Sequence, residues 1–255
     1  MTNYWVDKVE RAKKAKVHTE EMRKKYHVAI QNSAISTKIY DFDMDFLNYP
    51  NRNQSTEITI EALDTVSAGE KYHSLGKTAL LNFASYKNPG GMFMNGSKAQ
   101  EECLCHESFL YNVLEEFRDS FYEWNNRHKN KALYFNRALY SPNILFREAW
   151  CCDVITCAAP NKSAAQKYQA VSDDENYKAL KSRMRFVLDI AVENEVDILV
   201  LGAWGCGVFG QNPVEVATAF QELLQKKYRN CFSKVIFAVP KDTANYDAFC
   251  KVFRG

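Results

Sequence analysis

Seven of the ten glycines in this 255-residue chain fall in two short segments, at positions 90, 91 and 96 and at 202, 205, 207 and 210. Each segment follows an apolar run of strand length, Thr78–Ala84 and Asp197–Leu201, and each leads into a stretch with helical periodicity. A nearly continuous apolar run that ends in a strong break reads as a strand buried on both faces, and such a strand needs helices above and below it. The chain is thereby confined to an α/β fold with a largely parallel or mixed sheet. Open sheets of that kind take ligands beyond the carboxyl ends of their strands. Two glycine loops at two such ends mark where the chemistry belongs.

The rest of the chain fills in around those strands. Trp5, Val9, Ala12, Thr19, Met22 and Tyr26 recur at helical spacing through residues 4–26. Short strands are expected near His27–Gln31 and Lys38–Phe42, a polar loop over Asn48–Thr56, a strand at Ile58–Glu61 and a helix over Leu63–Leu75. A single helix is expected from Ala99 to Phe117, strands at Asn143–Phe146 and Val154–Ala158, and a polar loop over Asn161–Asp174. Tyr177, Leu180, Met184, Val187, Leu188 and Ala191 define an amphipathic helix. Asn212 as N-cap, Pro213 at the first helical position and Glu215 two residues on start another. A strand at Lys234–Val239 and a helix at Tyr246–Phe253 close the chain. No repeat, low-complexity tract or linker interrupts it, so residues 1–255 are expected to form one domain, with 1–30 as a helical extension.

Composition excludes several classes. A 46% hydrophobic and 25% charged chain is neither disordered nor fibrous, and a net charge of +2 is no overall polyanion-binding signature. Residues 1–30 nevertheless carry eight Lys and Arg against four Asp and Glu. That face is either a solvated helix surface or a contact for an acidic polymer, nucleic acid included. The longest apolar stretches, such as Ile198–Trp204, are too short to span a bilayer, so no membrane role is expected. The first residues lack the apolar centre of a secretory leader. With no Cys-x-x-Cys pair, the eight cysteines read as free thiols in a reducing, cytoplasmic setting. A monomer is expected.

The segment Gly202–Gly210 lets backbone N–H groups approach an anion beside a helix N-terminus, so a phosphate or diphosphate is its natural ligand. It matches neither the Walker A pattern nor the dinucleotide fingerprint. Cys206 lies inside it and is a candidate low-pKa nucleophile, although a Cys-x5-Arg phosphatase pattern fails at Asn212. The other loop, Asn88–Gly96, runs at once into Gln100-Glu101-Glu102. Adjacent glutamates on a helix point about 100° apart and suit different roles. They are either general acid/base groups for sugar chemistry or a first-turn pair complementing the helix dipole. His106-Glu107 meets Leu110 where a zinc protease needs histidine, and no Gly-x-Ser-x-Gly elbow exists. Cys103-x-Cys105-His106 lacks a second ligand pair, so no metal is expected.

Leu81-Asn82-Phe83-Ala84-Ser85, Asn88-Pro89-Gly90-Gly91 and Ala99-Gln100-Glu101-Glu102-Cys103-Leu104 together resemble the microbial-type poly(ADP-ribose) glycohydrolases. Their signature is a Gly-Gly-Gly loop followed by Gln-Glu-Glu. Gly202–Gly210 looks like the diphosphate loop of the same family, and Tyr140-Ser141-Pro142 and Ala158-Ala159-Pro160-Asn161 resemble further segments of it. The resemblance covers nearly the whole chain. It implies a macrodomain-like mixed sheet between helices and hydrolysis of ribose–ribose bonds to release ADP-ribose, without metal or cofactor. By that resemblance Glu102 is the catalytic acid and base, and Glu101 and Gln100 hold the distal ribose and support it. Gly90 and Gly91 let the backbone close on the substrate. Gly205, Cys206, Gly207 and Val208 bind the diphosphate, Phe209 packs on the distal ribose side, and Asn82 lies in the ribose pocket. The expected partners are ADP-ribose, its polymer and ADP-ribosylated macromolecules. Met92 stands where the family has its third glycine. That departure leaves two alternatives, a module that binds ADP-ribose without cleaving it and a hydrolase of another ADP-ribose conjugate.

Overall fold

A computed structural model describes residues 4–42, 55–241 and 243–254. The chain opens with helices α1 (Tyr4–Lys25) and α2 (His27–Ser36), strands β1 (Lys38–Tyr40) and β2 (Glu57–Glu61), helix α3 (Thr65–Tyr72) and strand β3 (Thr78–Phe83). After the first glycine loop come α4 (Gln100–His106), α5 (Leu110–Glu115), a π-helical turn at Arg118–Glu123 and α6 (Trp124–Arg127). Strands β4 (Ala138–Phe146) and β5 (Trp150–Cys157) precede helices α7 (Lys162–Gln169) and α8 (Asp173–Glu193). Strand β6 (Ile198–Leu201), helix α9 (Pro213–Gln225), strand β7 (Lys234–Ala238) and helix α10 (Ala244–Arg254) follow.

The sheet is mixed, with seven strands in the order β1-β4-β5-β3-β6-β7-β2. Only β4 runs against its neighbours β1 and β5; the pairs from β5 through β2 are parallel. Parallel strands need both faces covered, and side chains along β3 alternate accordingly. Ala79 and Leu81 join one buried cluster with α8 and α9, whereas Leu80 joins the other with α4 and α5. Each fully buried leucine here contributes about 1.5–3 kcal/mol of transfer free energy. Helix α9 starts as its residues dictate, with the Asn212 side chain accepting from the N–H groups of Val214 and Glu215 ahead of Pro213.

Four local expectations change. His27–Gln31 is helical, because Ile30 and Ser33 are buried three residues apart and the Ser33 hydroxyl bonds the Pro142 carbonyl. The single helix expected over Ala99–Phe117 is broken: Ser108 leaves it to bridge Phe146, and its hydroxyl caps the restart by accepting from Leu110 N–H. Part of the polar stretch Asn161–Asp174 is helix α7, capped by the Asn161 side chain accepting from Ala164 N–H. Helix α8 begins earlier than its apolar stripe, at a reciprocal capping box between Ser172 and Glu175. The loop expected over Asn48–Thr56 lies outside the described residues up to position 54.

Pairing between β3 and β6 ends at Leu80 opposite Val200. Beyond that point the two strands part, and each runs into its glycine loop. The cleft between those loops sits at the carboxyl ends of the central strands.

Candidate active site

Gln100 caps the end of β3. Its carboxamide oxygen accepts from Phe83 N–H at 2.8 Å, and its nitrogen donates to the Leu81 carbonyl at 2.8 Å and to Thr65 Oγ1 at 3.1 Å. The side chain thus occupies ladder positions that a neighbouring strand would fill. That seats the start of α4 on the end of β3.

The next two residues are both buried carboxylates. Oε1 of Glu102 accepts from Met92 N–H at 2.9 Å, and Oε2 accepts from Ala99 N–H at 3.0 Å. Glu102 therefore ties together the two ends of the segment that closes the first loop. Glu101 turns the other way. Its Oε2 accepts from Ser85 N–H at 2.7 Å and its Oε1 from the Asn82 carboxamide at 3.2 Å. Burial, with the neighbouring Glu102 charge adding to it, pushes Glu101 from 4.5 up to about 8 despite those two hydrogen bonds. Glu101 thus keeps its proton near neutrality.

Gly91 is the residue against which both carboxylates lie. It has φ +62°, and a Cβ there would stand 2.7 Å from Glu102 Oε1 and 2.9 Å from Glu101 Oε2. Met92 takes φ −111°, an ordinary value for a side-chain-bearing residue, so no glycine is required at that point. Gly96 is a close-approach site. A Cβ there would come within 2.0 Å of the Lys8 carbonyl on α1, and the Gly96 carbonyl accepts from Arg11 Nε at 2.8 Å. Helix α1 is thereby fastened to the first glycine loop.

The facing wall is the second glycine loop. Among the described residues the N–H groups of Gly205, Gly207, Val208 and Phe209 donate to no protein acceptor, and all four residues line the cleft. Cys206 differs: its N–H closes a turn on the Ala203 carbonyl at 3.2 Å, and it packs against the core outside the cleft lining. Burial pushes its thiol up to about 12, the opposite of what an activated nucleophile needs. Gly90 and Asn82 also stand behind the surface, Gly90 against Tyr111 and Cys105, and Asn82 fully buried behind Glu101. The described residues hold no group of three or more His, Cys, Asp or Glu placed to bind a metal, and all eight cysteines are unbridged.

The cleft has a volume of about 680 Å³ and is bounded on its third side by Tyr134, Ala159 and Asn161. An adjoining pocket of about 310 Å³ continues it past Phe83, Gln100 and Ala203 toward Asp64, Val239 and Asn245. Tyr134 stacks on Tyr86 with ring centroids 4.1 Å apart and meets Phe209 edge-on at 6.2 Å. No pattern in the sequence marks Tyr134. Behind this wall Arg183 is 1% exposed, with its guanidinium donating to the carbonyls of Ala158 and Leu133 and, at 2.7 Å, to Asn136 Oδ1. Gln211 supports the same wall from below, donating to the Pro160 carbonyl at 2.8 Å while its own N–H bonds the Gly205 carbonyl at 3.0 Å. An arginine on the apolar stripe of α8, between Leu180 and Met184, was the one available signal for this support.

The family model for the microbial-type poly(ADP-ribose) glycohydrolase (PARG) catalytic domain matches residues 7–148. The Thermomonospora curvata poly(ADP-ribose) glycohydrolase structure is 28% identical, covering 96% of this chain and 99% of that one, with a TM-score of 0.86. The Deinococcus radiodurans enzyme in complex with ADP-ribose is 31% identical, covering 88% of this chain and 96% of that one, with a TM-score of 0.80. The Thermomonospora curvata enzyme bound to the inhibitor ADP-HPD is 28% identical over the same shares as its first structure, with a TM-score of 0.82. A comparison with functionally curated proteins returns no match. Among the described residues no helix is long and apolar enough to cross a membrane.

Proposed function

The chain belongs to the microbial-type poly(ADP-ribose) glycohydrolase family, and we propose that Glu102 is the general acid and base with which it cleaves ribose–ribose O-glycosidic bonds of poly(ADP-ribose). It is a hydrolase of the glycosidase class. The observation that carries the assignment of Glu102 is its double tether. Both oxygens are held by backbone N–H groups at the mouth of a cleft whose opposite wall offers free N–H groups to an anion.

The distal ribose lies between Gly91 and Glu102 on one side and Phe209 and Tyr134 on the other. The diphosphate accepts from Gly205, Gly207, Val208 and Phe209 N–H groups. The adenosine continues into the adjoining pocket beside Phe83 and Val239. Asn82 and Gly90 act from behind the surface and Gln100 from the cleft wall, setting the strand ends and the carboxylates in place. Cys206 shapes the anion loop through its turn. The whole chain forms one catalytic unit, since strands from both of its ends share the sheet, and its unbridged cysteines support a reducing, cytoplasmic setting.

Glu102 donates a proton to the departing ribose oxygen as the bond from that oxygen to the anomeric carbon breaks. The electron pair leaves with the oxygen, and the distal ribose becomes oxocarbenium-like. Water then attacks the anomeric carbon and returns a proton to Glu102, so one water is consumed per ADP-ribose released. Glu101, largely protonated at neutral pH, adds no negative charge of its own beside the ligand's diphosphate. Incubation with poly(ADP-ribose) tests the reading. The wild type should release ADP-ribose and Glu102→Gln should not, and equal release by the two would overturn the role of Glu102.

A further inference from the structure

Two cations at the cleft are not accounted for by the ADP-ribose unit just placed. Lys87 and Lys98 both line the cleft and are exposed, and neither forms an ion pair with any described residue. Each is a near neighbour in sequence of a residue that holds one of the two carboxylates. Lys87 lies two residues past Ser85, whose N–H holds Glu101, and Lys98 directly precedes Ala99, whose N–H holds Glu102. Met92, between them in sequence, lines the same cleft and is 45% exposed, with its backbone N–H on Glu102. Among the described residues the only acidic side chains lining the cleft are Glu101 and Glu102, both buried, so none of them competes for the lysines on the exposed rim.

The chemistry of the substrate says what must pass this rim. In a polymer the departing oxygen belongs to the adenosine ribose of the next ADP-ribose unit. That nucleoside carries its own diphosphate. The diphosphate of the cleaved unit is on the far wall, at the second glycine loop, so the next one leaves from the Glu102 side.

We infer that Lys87, Lys98 and Met92 form a leaving-side subsite that holds the next ADP-ribose unit of the polymer, with the two ammonium groups on its diphosphate and the thioether against its nucleoside. Lysine suits this task as a flexible point charge on a mobile phosphate. A methionine side chain adapts to an aromatic base without demanding one orientation. The glycine that Met92 replaces in the family signature has no side chain for such a contact. The consequence is a preference for polymer over single ADP-ribose that the anion loop alone does not produce.

This inference rests on the glycohydrolase reading, and its test is separable from it. Affinities for poly(ADP-ribose) and for ADP-ribose are measured in a Glu102→Gln background, with and without Lys87→Ala and Lys98→Ala together. Both lysines are exposed, so the double variant should fold, and its melting temperature checks this. The expected result is about a tenfold loss of polymer affinity, ADP-ribose affinity changed by less than about twofold, and a salt dependence shallower by about 0.7 per lysine. Met92→Ala in the same background should weaken polymer binding without altering the salt dependence. Equal losses for both ligands, or unchanged polymer affinity, would overturn the subsite. Failure of the glycohydrolase reading would appear elsewhere, as absence of ADP-ribose release by the wild type.

Discussion

Gly91 lies against the carboxylate of Glu102 so closely that a methyl group on it would stand 2.7 Å from Oε1. The contact explains why a carboxylate can be both buried and fixed at this point: the backbone comes to it, and no side chain intervenes. Gly91→Ala has to displace Glu102 and to hold φ +62°, which costs an L-residue about 1–2 kcal/mol. ADP-ribose release should fall by at least about a hundredfold, with only a modest fall in melting temperature. Steady-state kinetics beside a thermal melt separates the two effects.

Glu101 makes stability depend on pH in a definite direction. Its folded-state value of about 8 lies above the ordinary 4.5. Between those values the folded protein keeps a proton that the unfolded chain has lost. Stability is therefore full below about pH 4.5 as far as this group is concerned, and it declines as pH rises toward about 8. Urea midpoints of the wild type should be lower at pH 8 than at pH 5, and Glu101→Gln should lose most of that difference. An unchanged difference in the variant would remove Glu101 as its source.

The second loop predicts a split between folding and binding. A Cβ on Gly207 meets nothing within 4 Å, so Gly207→Ala should leave the urea midpoint unchanged. The same methyl group would stand where the diphosphate approaches the loop's N–H groups. Calorimetry should show ADP-ribose binding weakened by about tenfold or more, in line with loss of one or two charge-assisted hydrogen bonds.

Arg183 should matter to stability more than its distance from the reacting atoms suggests. It is buried, and its guanidinium holds the carbonyls of Leu133 and Ala158 behind the Tyr134 wall. Arg183→Leu leaves those acceptors without donors and should cost about 2–4 kcal/mol in denaturant titration. The larger fractional effect on activity should fall on KM, since the wall it supports meets the ligand and not the scissile oxygen.

Much of this architecture was legible in the chain because local signals and tertiary demand agree. Thr78–Phe83 and Ile198–Leu201 are apolar on both faces and end in clustered glycines, so central strands and ligand loops could be read together. Gln100-Glu101-Glu102 marked the helix start that meets the end of β3 in the cleft. What was not legible depends on distant partners. The break at Ser108 exists because Phe146, far along the chain, pairs with it. Cys206 differs from its loop neighbours only through a turn bond to Ala203 that composition does not encode. Tyr134 reaches the cleft from a segment with no periodicity at all. The capping box of Ser172 and Glu175 is different: the signal was present, and the polarity of the surrounding stretch concealed it.

The most direct test of the account is the rate of ADP-ribose release from poly(ADP-ribose) by the wild type and by Glu102→Gln, with ADP-ribose affinity measured on both. Glutamine keeps the shape of the side chain and one of its two backbone tethers, but it neither donates nor takes up the proton. The account predicts release lowered by about a thousandfold or more, with ADP-ribose affinity changed by no more than a few fold. Release by Glu102→Gln at the wild-type rate would contradict it.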